Sequence, residues 1–276
     1  MIKILVDSAS DLAAEKSTYD YFMPIKVNIG GKEYRDGVDL DADTFYNLLV
    51  KSEEFPHTSQ PSPQDFVEIF EKVKENGDEL IYISLSSALS GTYQGAVLAK
   101  TMVDYDGIYI VDSKTASHGI SVIVKYAARL ISEGLEAKEI AEKCQNLVSR
   151  VKIFAGVDTL EYLYRGGRLS RTAATVGKIA DIKPIVTIAE DGSVAAIGKC
   201  LGKGRAMQFI LDKVSKFELD SDFEIYSLYT CGEENCAALE GKLEQNGYGV
   251  SKRLQVGSTI GAHVGPGVYG VIIVTK

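Results

Sequence analysis

The sequence predicts an α/β protein: a first half built on a mainly parallel sheet covered on both faces, and a second half forming an α+β layer. Three observations carry this. Up to residue 150, short β-branched runs alternate with helical stretches, a pattern that implies parallel strands joined by helical crossovers. Beyond that point the texture changes to a hairpin signal followed by mixed helices and strands. The length of 276 residues suits about two domains at ~150 residues each.

The elements follow in order. Residues 2–6 (IKILV) and 23–29 (MPIKVNI) predict strands. Asp41 or Asp43 caps a helix through Leu49 and Val50. Ser62-Pro63-Gln64-Asp65 supplies an N-cap, a first-turn proline and a first-turn acid, and opens a helix that Asn76-Gly77 stops. Strands at 80–85 (LIYISL) and 108–112 (IYIVD) flank a helix on which Ala96, Ala99 and Val103 share one face. Helices from Ile120 to Glu133 and from Glu136 to Arg150 complete this half. The boundary falls near residue 152, giving domains 1–152 and 153–276, with no Pro-, Gly- or Ser-rich linker between them. Next come a strand at 153–157 and a short helix from Leu160 to Tyr164 closed by Gly166-Gly167. Residues 184–200 predict two strands around an Asp191-Gly192 turn. A helix from Arg205 to Phe217, a strand at 223–230, a helix from Ala237 to Asn246 and a strand at 268–275 close the chain.

Composition narrows the function. Hydrophobic residues make up 45% and charged residues 25%, enough apolar material for a packed core. A net charge of −8 disfavours nucleic acid and anionic membrane surfaces as partners. No apolar stretch reaches the ~20 residues of a membrane span, and the N-terminal run meets Asp7 before it attains signal-peptide length. Four scattered cysteines (Cys144, Cys200, Cys231, Cys236) suit a reducing cytoplasm, and neither they nor His57, His118 and His263 form a local metal motif.

Four segments concentrate polar chemistry. In LIYISLSSALSGTYQ a strand runs through Ser90-Gly91 into a helix N-terminus, where free amides and the helix dipole favour an anion; Ser90 capping its own helix explains the same pattern. The prolines of Thr58-Ser59-Gln60-Pro61-Ser62-Pro63 fix an extended loop that presents Thr58 and Ser59, or that simply leads into a helix. In GSTIGAHVGPGVYG, Gly265, Gly267 and Gly270 match G-x-G-x-x-G, but they lead into a strand rather than a helix, so dinucleotide binding is rejected. That segment is expected to be a contorted loop holding His263 at a cleft. In LEYLYRGGRLSR, Gly166-Gly167 throws Arg165, Arg168 and Arg171 into a basic cluster, with Arg168 able to fork onto a carboxylate or phosphate; solvated arginines at a helix C-terminus are the plain alternative. Residues 198–205 (GKCLGKGR) are one residue short of a P-loop and carry Gly204 in place of Ser/Thr, so nucleotide binding is unsupported.

Taken in order, DSASDL (7–12), TSQPS (58–62), SALSGTYQ (87–94), VDSKTAS-x-G (111–119), LEYLYRGGR (160–168) and GAHVGPG (261–267) resemble the DegV family of bacterial fatty-acid-binding proteins over nearly the whole chain. The resemblance implies a Rossmann-like N-terminal domain packed against a C-terminal α+β domain, with a long acyl chain such as palmitate buried in a tunnel between them. It implies that Thr58 and Ser90 hold the carboxylate, completed by the Gly91 amide, His263 and Arg168. It also implies a non-enzymatic, cofactor-free carrier in lipid transport and fatty-acid metabolism. Some relatives are the binding subunit of a fatty-acid kinase, and present the carboxylate to an ATP-using partner. Arg165, Arg171 and Arg205, with Lys203, form a basic set for docking such a partner, and a monomer is the default state. Apolar residues in the helices from Tyr93 and Ile120 are candidates for the tunnel wall. The alternative function is a serine hydrolase using Ser90 and His263 with Asp7 or Asp112, although residues 88–92 lack the G-x-S-x-G elbow. A phosphate-ligand protein built on 198–205 is the third reading.

Overall fold

The computed structural model describes residues 1–170 and 181–276. The chain opens with β1 (Ile2–Asp7), a 3-10 turn at Ser8–Ser10, β2 (Tyr21–Met23), β3 (Lys26–Ile29), β4 (Lys32–Arg35), α1 (Ala42–Leu49) and β5 (His57–Ser59). There follow α2 (Pro63–Glu75), β6 (Glu79–Ser84), α3 (Thr92–Val103), β7 (Ile108–Asp112), α4 (His118–Ser132) and α5 (Ala137–Val148). The remainder comprises β8 (Val151–Gly156), α6 (Glu161–Arg165), β9 (Ile182–Ile188), β10 (Val194–Leu201), α7 (Lys203–Val214), β11 (Ile225–Tyr229), α8 (Glu234–Gln245), β12 (Val250–Gln255), α9 (Ser258–Val264) and β13 (Tyr269–Val274).

The α/β architecture is a sheet–helix–sheet stack. A parallel sheet of order β2-β1-β6-β7 lies on one side, and a mixed six-stranded sheet of order β10-β9-β8-β13-β11-β12 on the other. Successive side chains on a strand point to opposite faces, so β1 and β6 serve two cores at once. Leu5, Leu80 and Tyr82 pack against Phe66, Phe70, Ala96 and Ala99 of α2 and α3. Ile4, Val6, Ile81 and Ile83 face Ile120, Ile123, Ile140 and Leu147 of α4 and α5, and the same cluster takes in Leu228 and Ile272 of the mixed sheet. The two halves therefore share one core. The far face of the mixed sheet is covered by α7 and α8 through Met207, Ile210, Leu239 and Leu243.

Several expectations need correction. The strand expected over 23–29 is two strands: Tyr21–Met23 joins the parallel sheet and Lys26–Ile29 a separate antiparallel sheet of order β4-β3-β5. Pro24, with no N–H to give to a ladder, stands at the break. The first half is thus not only parallel, and Thr58 sits on a short strand paired with Val27 rather than in a loop. Strands β4 and β12 had no counterpart in the expected order. The segment expected as a contorted loop around His263 contains a helix, α9.

Candidate functional site

A cavity of about 420 Å³ opens beyond the carboxyl ends of the parallel strands, between them and the mixed sheet. Carboxyl ends of parallel strands are where α/β folds place ligands, because chain reversals leave a crevice there. Most of its wall is aliphatic: Ile25, Leu85, Ile153, Val186, Ile188, Leu228, Val256 and Ile260 contribute, and no Phe or Tyr lines it among the described residues. Thr58, Ser59, Gln60, Ser90, Arg168 and His263 are among its polar residues, together with Ser117, Thr187 and Thr259. No residue of α3 or α4, the helices expected to line a tunnel, is part of the wall; their apolar faces pack in the cores, and β8, β9 and α9 line the space instead. Strand patterning marks those residues as buried but does not say which buried face borders a void.

Thr58, Ser90, Arg168 and His263 arrive from four separate segments. Pairing of β5 with β3 fixes Thr58, whose Oγ1 lies 2.8 Å from Nε2 of His263 on α9. Nδ1 of His263 is buried without a partner, and the ring lies so close to Gly166 that a Cβ there would come within 2.2 Å of Nδ1. Burial, with the charge of Arg168 second, pushes the His263 pKa down to about 4, so the imidazole is neutral at pH 7. Ser90 ends the turn before α3. Its Oγ lies 2.8 Å from Oγ1 of Thr92 and accepts a 3.3 Å hydrogen bond from the Thr92 N–H, so part of its capacity serves its own helix.

Arg168 follows α6 and reaches back to the Ser90 turn, donating from Nε to the Leu89 carbonyl at 2.9 Å and from Nη1 to the Gly166 carbonyl. Its guanidinium is half-buried, and that burial alone lowers its pKa. It forms no ion pair with any acidic side chain among the described residues. A cation partly removed from water and met, among the described residues, by carbonyls alone is a positive charge in the wall of an aliphatic cavity that an anion would answer.

The other expected residues are placed as follows. Gly91 does not line the cavity; a Cβ there would lie 2.3 Å from Oε1 of Gln60, so the glycine makes room for a lining side chain that sequence reasoning missed. Arg165 is exposed, paired with Glu161 at 2.7 Å and stacked over the Phe55 ring at 4.2 Å. Arg205 is exposed in the first turn of α7, well along the chain from that cluster, and Arg171 lies outside the described residues. The hydrolase relay is not assembled. Nε2 of His263 faces Thr58 rather than Ser90, the Asp7 carboxylate accepts from Tyr82, Leu85 and Ala9, and the Asp112 carboxylate accepts from Ser87 and Lys114. Among the described residues no helix is long and apolar enough to cross a membrane, and no cluster of His, Cys, Asp or Glu could hold a metal ion.

Comparison with known proteins gives a consistent result. The family model described as "Uncharacterised protein, DegV family" matches residues 1–276. A DegV domain-containing protein of Caldanaerobacter subterraneus subsp. tengcongensis is 39% identical over 282 residues, covering 100% of this chain and 99% of the relative. A Thermus thermophilus DegV family protein whose structure is described by its fatty acid binding superposes with a TM-score of 0.88 at 30% identity, covering 100% of this chain and 99% of the other. A stearic acid-binding protein of Eubacterium ventriosum superposes at 0.87 with 27% identity, covering 100% and 99%. Full-length agreement in both sequence and fold leaves no part of the chain unaccounted for: it belongs to the DegV family.

Proposed function

We propose that this protein binds one long-chain fatty acid non-covalently, with the acyl chain in the aliphatic cavity and the carboxylate among Thr58, Ser90, Arg168 and His263. The observation that carries this reading is the half-buried Arg168 guanidinium at the cavity, which has no acidic partner among the described residues. A carboxylate would supply the missing charge, and the hydroxyls of Thr58 and Ser90 would donate to its remaining lone pairs. The Gly91 amide, at the start of α3, would add the helix dipole. The relatives described as binding fatty acids support the same ligand class.

The energetics fit a carrier. Burying ~14 methylenes at ~0.8 kcal/mol each supplies about 11 kcal/mol of gross driving force, less several kcal/mol for ordering the chain. Affinity then comes from the tail, while the polar residues prevent the carboxylate from being stranded. A bound acid held this way is ready for presentation to an ATP-dependent fatty-acid kinase subunit, whose docking point would include the exposed Arg165–Glu161 pair beside the open cleft of Glu53, Glu54, Phe55 and His57. Native mass spectrometry tests the central reading: the purified protein is expected to carry an acid of palmitate or stearate length. An apo preparation that also ignores added palmitate would overturn it.

A further inference from the structure

His263 stands on a helix that cannot cap itself. The N-cap of α9 is Gly257, which has no side chain, and the helix spans only seven residues, too short to be stable without outside help. The missing acceptor comes from far away in sequence. Asp36, 4% exposed, receives both the backbone N–H of Thr259 at 3.0 Å and its hydroxyl at 2.6 Å. The Thr259 hydroxyl also lies 3.1 Å from that of Ser8, which in turn accepts from the Ile25 N–H. Tyr46 adds a third tie, donating to the Val256 carbonyl at 2.8 Å just before the helix. A carboxylate at a helix N-terminus satisfies free amides and complements the dipole. Thr259 and His263 are four residues apart, so they lie one turn apart on the same helix face.

We propose that Asp36 is a positioning residue for fatty-acid recognition: capping α9 from the N-terminal half through Thr259, it sets the height and rotation at which His263 meets Thr58 and the ligand carboxylate. The geometry explains why the cap is supplied in trans. Thr58 belongs to the small antiparallel sheet, and Asp36 immediately follows β4 of that sheet. Helix and strand are thereby referenced to one rigid unit, and the 2.8 Å contact between Thr58 and His263 is held from both sides. The inference rests on His263 contacting the carboxylate, and its test separates the two ideas.

Dissociation constants for palmitate and for 1-hexadecanol, which keeps the chain but lacks the carboxylate, are measured on the full-length protein and on three variants. His263→Ala is expected to weaken palmitate about tenfold, the size of one lost hydrogen bond to a charged group, with hexadecanol within about twofold. If His263→Ala leaves palmitate binding unchanged, the head-group reading fails first. Asp36→Asn is expected to reproduce the palmitate-selective loss and to move the His263 Cε1–H resonance in the proton NMR spectrum. Thr259→Val, which removes one of the two bonds and keeps the backbone amide, is expected to give a smaller loss of the same selectivity, about threefold. Thr259 also lines the cavity. Should Asp36→Asn fail to fold, Thr259→Val therefore carries the test together with a shift of the His263 Cε1–H resonance measured without ligand. A palmitate-selective loss with that resonance unmoved would defeat the positioning role. An equal loss for both ligands, or a palmitate-selective loss in His263→Ala that neither other variant shares, would overturn the positioning role.

Discussion

Two buried polar regions lie on either side of α9, and they treat charge in opposite ways. Toward the N-terminal half, Asp7 accepts from the Ala9 N–H, the Leu85 N–H and the Tyr82 hydroxyl, and Asp36 accepts twice from Thr259. Toward the cavity, and among the described residues, Arg168 finds only carbonyls and Nδ1 of His263 has no partner. Among the described residues, the Asp7 and Asp36 carboxylates are met by donors, although Oδ1 of Asp11 and Oγ of Ser258 in the same cluster are buried without a partner, whereas Arg168 meets no acid. Buried charges are normally answered, so the carboxylates that already have donors hold the fold, and the cation without an acid among the described residues is left for a ligand.

The largest expected effect comes from the satisfied side. Asp7→Ala strands two buried amides and a tyrosine hydroxyl, and should lower the unfolding free energy by about 4 kcal/mol at 1–3 kcal/mol per abandoned group. Urea unfolding reads this directly. Protein that remains folded should keep its palmitate affinity within about threefold, since of those three residues only Leu85 lines the cavity, and none of them is a head-group residue in the proposed pose. A variant of wild-type stability that had lost its ligand would erase the distinction between the regions.

Arg168→Met reverses the pattern. Palmitate affinity should fall about thirtyfold, near 2 kcal/mol, as expected for one charge-assisted hydrogen bond. Stability in the absence of ligand should hold or rise, because the substitution removes a half-buried charge that has no ion-pair partner among the described residues. Paired titration and unfolding measurements check both halves. A clear loss of stability without ligand would assign Arg168 to the fold.

Acid sharpens the comparison further. Burial pushes the Asp7 pKa from 3.8 up to about 6, so between those values the folded chain binds the proton more readily and gains stability as pH falls. His118, buried and facing the Gln255 carbonyl, is pushed from 6.5 down to about 4. Between those values the unfolded chain takes up the proton first, so this contribution to stability is lost as pH falls. His263 has the same sign. Unfolding free energies measured from pH 7 to 4 should therefore fall more steeply in Asp7→Asn than in wild type and less steeply in His118→Gln, each by about 1–3 kcal/mol over the window.

Much of this was legible in the sequence, and the gaps have physical causes. The capping box at Ser62 and Asp65 formed as the sequence predicts, because all its parts are local. Thr58, Ser90, Arg168 and His263 line one cavity although they span more than two hundred residues; motif order carried them, not any local rule. Helix α9 escaped because its cap is Asp36, and no window around Gly257 contains that residue. Gln60 escaped because a polar residue between a serine and a proline reads as loop, and only packing against Gly91 gives it a place.

Gly91 offers the finest test. Its φ of −72° is open to any residue, so Gly91→Ala brings no backbone strain and should shift stability by no more than about 0.5 kcal/mol, the gain from a stiffer unfolded chain offsetting local crowding. The new methyl would lie 2.3 Å from Oε1 of Gln60, an exposed side chain free to swing away. If that displacement disturbs the head-group end, palmitate affinity falls about threefold, and adding Gln60→Ala to Gly91→Ala should restore it, since the clash then has no second partner. A loss that persists in the double variant would place the effect in the Gly91 amide itself, making the start of α3 a direct contact to the carboxylate rather than a space left for Gln60.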